Sequence, residues 1–265
     1  AKGFLIGATS GRTTLNGEGL QHQDGHSHIL SSTIPNCLSY DPTYAYEVAT
    51  IVKDGIKKMY IDQENYFYYI TTINENYTHP EMPKDCEEGI IKGMYVLSDN
   101  ESYDVRLLGS GAILREALKA KDILFKFKIK AQVWSITSFN LLRKDGMEIE
   151  RYNQLNPSGK QKLTYVEECF SDSNVPVIAA TDYMRSYAEQ IRPYIHSSYT
   201  TLGTDGYGRS DSRQTLRDFF EVDSKSIARA AIYALYKNDK IDKNQIENYY
   251  KELGIDSNKP NPWEI

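Results

Sequence analysis

The chain has 265 residues, of which 40% are apolar and 25% charged, and it carries a formal net charge of −5 at pH 7. That length suits two modest domains or one large α/β unit with a filled core, and the composition is that of an ordinary soluble globular protein. The acidic balance excludes a protein built around a basic nucleic-acid-binding face, and no apolar run approaches the roughly 18 residues of a membrane span.

The first segment reads as strand, loop, strand, helix, strand. "GFLIGAT" is a short apolar run, and the chain enters it almost directly from Ala1, with no leader peptide before it, so the start reads as a cut through a longer protein. "NCLSYDP" forms a second strand. In "TYAYEVATIVKDGIKKMY" the apolar residues Ala45, Val48, Val52, Ile56 and Met59 share one helical face. Asp41 is the expected N-cap of that helix and Pro42 its first residue. "YFYYITT" is the third strand. Three strands and a helix are too little for a comfortable domain, so this part is expected to complete a sheet whose other strands lie elsewhere.

A connector containing Pro80 and Pro83 follows, and a boundary is placed at residue 82, giving segments 1–82 and 83–265. Beyond it "GIIKGMYVL" and "DVRLLGSG" are expected strands, the second leading into the helix "AILREALKAKDILFKF". "AQVWSITS" is a strand, with Ser138 capping the next helix. "VPVIAATD" and "YTTLGTDG" are two more strands. Three helices close the chain, the last with an Asp242/Gln245 capping box and a Gly254 stop. Strands alternating with helices imply an α/β fold with a mostly parallel sheet covered on both faces.

The candidate chemistry lies in "GRTTLNGEGLQHQDGHSH", residues 11–28, which holds three of the chain's five histidines. His22, His26 and His28 with Glu18 have the donor types of a zinc or iron site. Gly25 falls between His22 and His26, so a one-face helical spacing is not assured. A solvated polar loop is one alternative. An organic active site is another, since glycines admit a ligand close to the backbone and carboxylate and imidazole exchange protons near neutral pH. Gly109, Ser110 and Gly111 read as a tight strand-to-helix turn ahead of an anion site. In "GTDGYGRSDSR", Asp211 or Ser210 is the expected N-cap, and Arg209 and Arg213 are assigned to a subunit or domain contact. Cys37, Cys86 and Cys169 lack CxxC spacing and fit a reducing cytoplasm, with Cys37 a small buried hydrophobe. The 21 tyrosines suit cores and subunit interfaces.

Six strings, "GRTTLNGEGLQHQDGHSH", "IPNCLSYDPTYAYEVA", "YYITTINENY", "LLGSGAILRE", "ATDYMRSYAEQIR" and "LGTDGYGRSDSR", resemble in order the homodimeric bacterial pyruvate dehydrogenases. These are the thiamine diphosphate-dependent decarboxylating components of the pyruvate dehydrogenase complex. The resemblance spans essentially the whole chain and corresponds to the family's C-terminal third. It implies the end of a pyrimidine-binding middle domain, then a transketolase-type C-terminal α/β/α domain. It also implies a bacterial cytoplasmic homodimer that acts on pyruvate and passes a two-carbon unit to the lipoyl domain of the dihydrolipoamide acetyltransferase component.

Carried over by position, Glu18 and His22 match active-site residues. The resemblance implies that His22 hydrogen-bonds the oxygens of pyruvate once it is joined to thiamine diphosphate, while Glu18 orients or protonates groups beside it. Asp24 and His28 fall where the more distant transketolases carry substrate-site residues in "EDGPTH". The family holds Mg2+ and the diphosphate with a GDG…N element, which this sequence lacks, and the glutamate facing the aminopyrimidine is not identifiable in it. The chain alone is therefore expected to be inactive. A non-catalytic dimerisation module and another two-carbon-transferring member of the transketolase superfamily are the alternatives.

Overall fold

The computed structural model describes residues 1–7, 10–16, 19–98, 102–170 and 174–264. Three strands, β1 (Phe4–Gly7), β2 (Cys37–Tyr40) and β3 (Phe67–Thr71), form a parallel sheet in the order β1-β3-β2. The central strand β3 is enclosed, with Tyr68 and Ile70 fully buried, whereas Leu5 and Ile6 of the edge strand β1 are 59% and 60% exposed. Between β1 and β2 runs the histidine-rich segment, which contains a short helix, α1 (Ser27–Ser31). Helix α2 (Ala45–Ile56) joins β2 to β3 and widens into a π-turn over Lys57–Ile61. Ile51 of α2 and Met59 pack with Leu38, Tyr40, Tyr68 and Ile70 into one core, each buried aliphatic side chain contributing about 1.5–3 kcal/mol.

Asp41 does not cap α2. The helix begins at Ala45, and the Glu47 carboxylate accepts hydrogen bonds from the backbone N–H groups of Thr43 (2.5 Å) and Tyr44 (2.8 Å). Glu47 thereby satisfies donors that a helix start leaves without intrahelical partners, and Asp41 is released to a different task. The same carboxylate receives the hydroxyls of Tyr95 (2.7 Å) and Ser135 (2.6 Å), tying the first sheet's helix to the second sheet. Burial raises the Glu47 pKa, against the lowering by these four bonds.

The segment 72–86 contains neither helix nor strand. After it, the expected strand "GIIKGMYVL" is divided in two. Glu87–Lys92 form helix α3, Gly93 closes it at φ +116°, and only Met94–Ser98 form strand β4. Gly93 is the reason: left-handed backbone ends helices at low cost when no Cβ is present.

The second sheet contains β4, β5 (Val105–Ser110), β6 (Ala131–Ile136), β7 (Val177–Ala180) and β8 (Tyr199–Leu202) in the order β4-β6-β5-β7-β8, with β4 antiparallel and the rest parallel. Alternate strand residues serve opposite layers. Leu107, Val133 and Ile178 pack under α4 (Leu114–Lys126), α9 (Ser224–Lys237) and α10 (Lys243–Leu253). Leu108, Trp134 and Val177 pack under α5 (Phe139–Leu155), α6 (Tyr165–Cys169) and α7 (Arg185–Glu189). The remaining helix, α8 (Arg213–Phe219), precedes α9. The Ser138 cap of α5, the Asp242/Gln245 box of α10 and the Gly254 stop stand as the sequence implies. At α8 the cap is Ser212, whose hydroxyl accepts from Thr215 N–H, and neither Ser210 nor Asp211 takes that place. Burial pushes the half-buried Cys37 thiol up to about 11, in keeping with a packing role.

Candidate active site

The histidine-rich segment lies along the seam between the two sheets, and its backbone is stitched to the second sheet at several points. Gly11 has φ +72°, and a Cβ there would lie 2.2 Å from an oxygen of Asp182, just beyond β7. The backbone thus approaches a buried carboxylate as only glycine permits. Next to it Arg12 donates its N–H to the Asp182 carbonyl (3.1 Å), and Thr13 donates its N–H to both Asp182 carboxylate oxygens (3.2 Å each). The buried Arg12 guanidinium donates to the carbonyls of Thr204 and Gly206. Burial lowers the Arg12 pKa, opposed by the charges of Asp205, Asp24 and Asp182. A Cβ on Gly25 would lie 2.4 Å from Arg12 Nε, and the Gly25 carbonyl accepts from Met184 N–H (3.1 Å).

Within this frame the three described candidates, His22, Asp24 and His28, go to three different environments. Glu18 lies outside the described residues. His22 ends a single 3-10 turn, Leu20–His22, and its side chain is exposed to solvent. Asp24 turns inward on its own segment: its carboxylate accepts from the N–H groups of His26 (3.0 Å) and Ser27 (2.9 Å) and from the Ser27 hydroxyl, fixing the start of α1. His28 is fully buried, stacked on Tyr187 at 4.9 Å and edge-on to Tyr183 at 4.7 Å. His26 is exposed, with Nε2 3.5 Å from Arg12 Nη2. The metal-site alternative for His22, His26 and His28 is thus not supported by their placement, and among the described residues no three His, Cys, Asp or Glu side chains are arranged to hold a metal ion.

His28 belongs to a buried relay. Its Nε2 is 3.0 Å from the Thr71 hydroxyl, which donates to Asp41 Oδ1 (2.8 Å), and the Ser10 hydroxyl also donates to that oxygen (3.1 Å). With the Thr71 proton directed to an ionised Asp41, the matching His28 tautomer carries its proton on Nε2. Burial holds His28 neutral, with its pKa down to about 3. Burial likewise pushes Asp41 up to about 6, offset by hydrogen bonds from Thr71, Ser110 and Ser10, and Asp182 up to about 7, offset first by the charge of Arg217. The interior position of His28 gives it a part in shaping the segment.

A second polar cluster closes the seam from the other side. The Arg217 guanidinium donates to Glu75 (2.9 Å) and to the Thr13 hydroxyl (3.2 Å). Burial alone would raise the Glu75 pKa, but hydrogen bonds from Arg115 and Arg217, and then their charges, hold it at about 2. Arg213 donates to the carbonyls of Thr14 (2.7 Å) and Asn74 (2.6 Å), in keeping with the contact role assigned to it. Asp41, Asp182 and Arg217 are buried and Glu75 is half-buried, a set that sequence alone does not single out. The one available signal was the position of Asp182, immediately after an apolar strand inside a specific motif.

The chain matches the family described as pyruvate dehydrogenase E1 component middle domain over residues 1–80 and the transketolase-like TK C-terminal domain over residues 93–223. It is 56% identical to the pyruvate dehydrogenase E1 component of Pseudomonas aeruginosa over 267 residues, covering 99% of this chain and 30% of that protein. Identity to the Escherichia coli K12 protein of the same description is 52% over 267 residues, with the same 99% and 30% coverage. The chain thus spans about 30% of the length of the curated relatives it matches. Among solved structures it resembles transketolase from Pichia stipitis (TM-score 0.66, 18% identity, 89% of this chain and 30% of that one) and from Campylobacter jejuni (TM-score 0.66, 16% identity, 87% and 31%). At those identities the likeness shows the fold: α/β with a mostly parallel sheet.

Proposed function

Since this chain belongs to the pyruvate dehydrogenase E1 component family and corresponds to the C-terminal 30% of its relatives, we propose that it is part of a pyruvate dehydrogenase (acetyl-transferring), with His22 and Glu18 as its catalytic residues. In this reading the whole enzyme decarboxylates pyruvate oxidatively and acetylates a lipoyl group on its acetyltransferase partner, as a cytoplasmic homodimer. The domain boundary lies near residue 82, inside the segment without regular structure. Among the described residues no helix is long and apolar enough to cross a membrane.

The observation that carries the proposal is the placement of His22. It is an exposed imidazole on a tight turn, in a segment whose neighbours are locked by Asp182, Arg12 and Asp24. An imidazole held in this way can donate a hydrogen bond to a substrate oxygen as negative charge builds on it, with little reorganisation at the moment of reaction. Glu18, four positions earlier in the sequence, is assigned the orienting or protonating of substrate groups. Asp24 and His28 contribute by holding the segment's shape.

The Mg2+ and diphosphate end of thiamine diphosphate does not fit the described residues, which offer no metal-ligating cluster, and the sequence contains no GDG. When bound in the whole enzyme, that cofactor supplies the carbon nucleophile and the electron sink. The part assigned here to the chain is the substrate-oxygen side of the site. The test is His22→Ala in the enzyme that contains this sequence. Turnover should fall about 100-fold or more while sedimentation shows an unchanged oligomer. Unaltered turnover would refute the assignment.

A further inference from the structure

His22 is the exposed end of a turn whose own hydrogen bond, from His22 N–H to the Gly19 carbonyl, is 3.3 Å long. The turn is also tied down through the residue that follows it. The next residue, Gln23, is only 9% exposed, between the exposed Gln21–His22 pair and the half-buried Asp24. Its side-chain amide pairs with one residue on the far side of the seam. Oε1 accepts from the backbone N–H of Arg209 (2.7 Å), and Nε2 donates to the backbone carbonyl of the same residue. A primary amide has one acceptor and donors in a single plane, which matches the two backbone groups of one residue. A carboxylate would satisfy only one of them, and an alkyl group neither.

The rest of the two segments closes around this contact. Arg213 N–H donates to Asn16 Oδ1 (3.2 Å), and Arg213 Nε donates to the Thr14 carbonyl. Gly19, at φ +82°, brings the turn to within 3.5 Å, measured from its absent Cβ, of the Ser210 Cβ. The Arg209 side chain points elsewhere, its guanidinium 5.3 Å from the centre of the Phe219 ring. Each of these joints has a backbone group on at least one side, and Gln23 makes the one next to His22 in the chain.

We propose that Gln23 is a positioning residue for His22, clamping the 3-10 turn to the loop Gly203–Arg213 through the backbone of Arg209. The proposal rests on the reading of His22 as a catalytic residue, and it extends the site to the loop Gly203–Arg213. The fold-level consequence is that the second sheet's β8–α8 connection sets the direction in which His22 points.

The test uses three variants of this chain: Gln23→Leu, which removes both bonds; Gln23→Glu, which keeps only the acceptor for Arg209 N–H; and Arg209→Ala, which keeps the backbone clamp. Hydrogen exchange at the Arg209 amide and the NMR ring signals of His22 are followed in each. In Gln23→Leu, exchange at residue 209 should rise about tenfold, and the His22 signals should move toward their denatured-state positions. Gln23→Glu should be intermediate, and Arg209→Ala should match the unsubstituted chain in both readouts. Should Gln23→Leu fail to fold, the intermediate behaviour of Gln23→Glu carries the test. The proposal is overturned by unchanged exchange at residue 209, by unmoved His22 signals in Gln23→Leu, or by Arg209→Ala behaving like Gln23→Leu. In the whole enzyme, Gln23→Leu should lower kcat about tenfold or more with KM for pyruvate little changed, and an unchanged kcat where His22→Ala does lower it also overturns the proposal. If His22→Ala left turnover intact while the two structural readouts behaved as stated, the catalytic reading would fail and the clamp itself would stand.

Discussion

Asp182→Asn tests how the seam stores charge. The Asp182 carboxylate is fully buried, and its two oxygens share the single N–H of Thr13 at 3.2 Å. Burial pushes its pKa from 3.8 to about 7, against the opposing charge of Arg217, with Asp41 adding to the rise. A carboxyl whose folded pKa is raised is protonated in the folded chain while the unfolded chain is already ionised. Its contribution to stability is therefore complete below about pH 4 and is lost as pH rises through about 7. The gap between 3.8 and about 7 is worth at most about 4 kcal/mol. Relaxation and water entry around a buried charge reduce that ceiling. Asparagine keeps an acceptor for Thr13 N–H and cannot ionise. The measurement is urea unfolding of both chains from pH 5 to 8. Taking the difference between them cancels the titrations of Glu75 and His28 and most of that of Asp41. The stability of the variant minus that of the parent should climb by about 1.4 kcal/mol per pH unit from pH 5 and level off above pH 7. A difference that stays flat across the range would mean that Asp182 is ionised throughout and neutralised by Arg217, and the account of the seam given above would be wrong.

Two further outcomes follow from the same structure. Gly109→Ala should destabilise the chain by about 1–3 kcal/mol, because a Cβ there would lie 2.6 Å from Leu114 Cα at the start of α4; thermal unfolding reads the loss, and an unchanged midpoint would deny the tight strand-to-helix turn. Calorimetric titration of this chain with thiamine diphosphate and Mg2+ should show no micromolar binding, and heat at that affinity would mean that residues given other tasks here hold the diphosphate.

The fold was legible where local and tertiary preferences agree. The parallel strands β5, β6 and β7 read correctly because short runs rich in apolar and β-branched residues, bounded by turns, are what a strand buried on both faces requires. The run "GIIKGMYVL" misled because it has the same composition, and only Gly93, a backbone position with no side chain to pattern, separates α3 from β4. The Asp41 cap misled because "DPT" is a good local helix start, while Glu47 offered a competing carboxylate that also reached Ser135 and Tyr95, 88 and 48 residues away. The candidate site shows the same division. That residues 11–28 matter was visible in a dense polar string, but sequence assigns no partner to a polar side chain. Asp24, His28 and Gln23 look equally available in the string. In the structure Asp24 is consumed by its own turn, His28 by an aromatic cage built from β3 and the β7–α7 region, and Gln23 by a backbone 186 residues away. His22 differs from Asp24, His28 and Gln23 in that its side chain is exposed, and that difference is set by which of its neighbours find long-range hydrogen-bond partners.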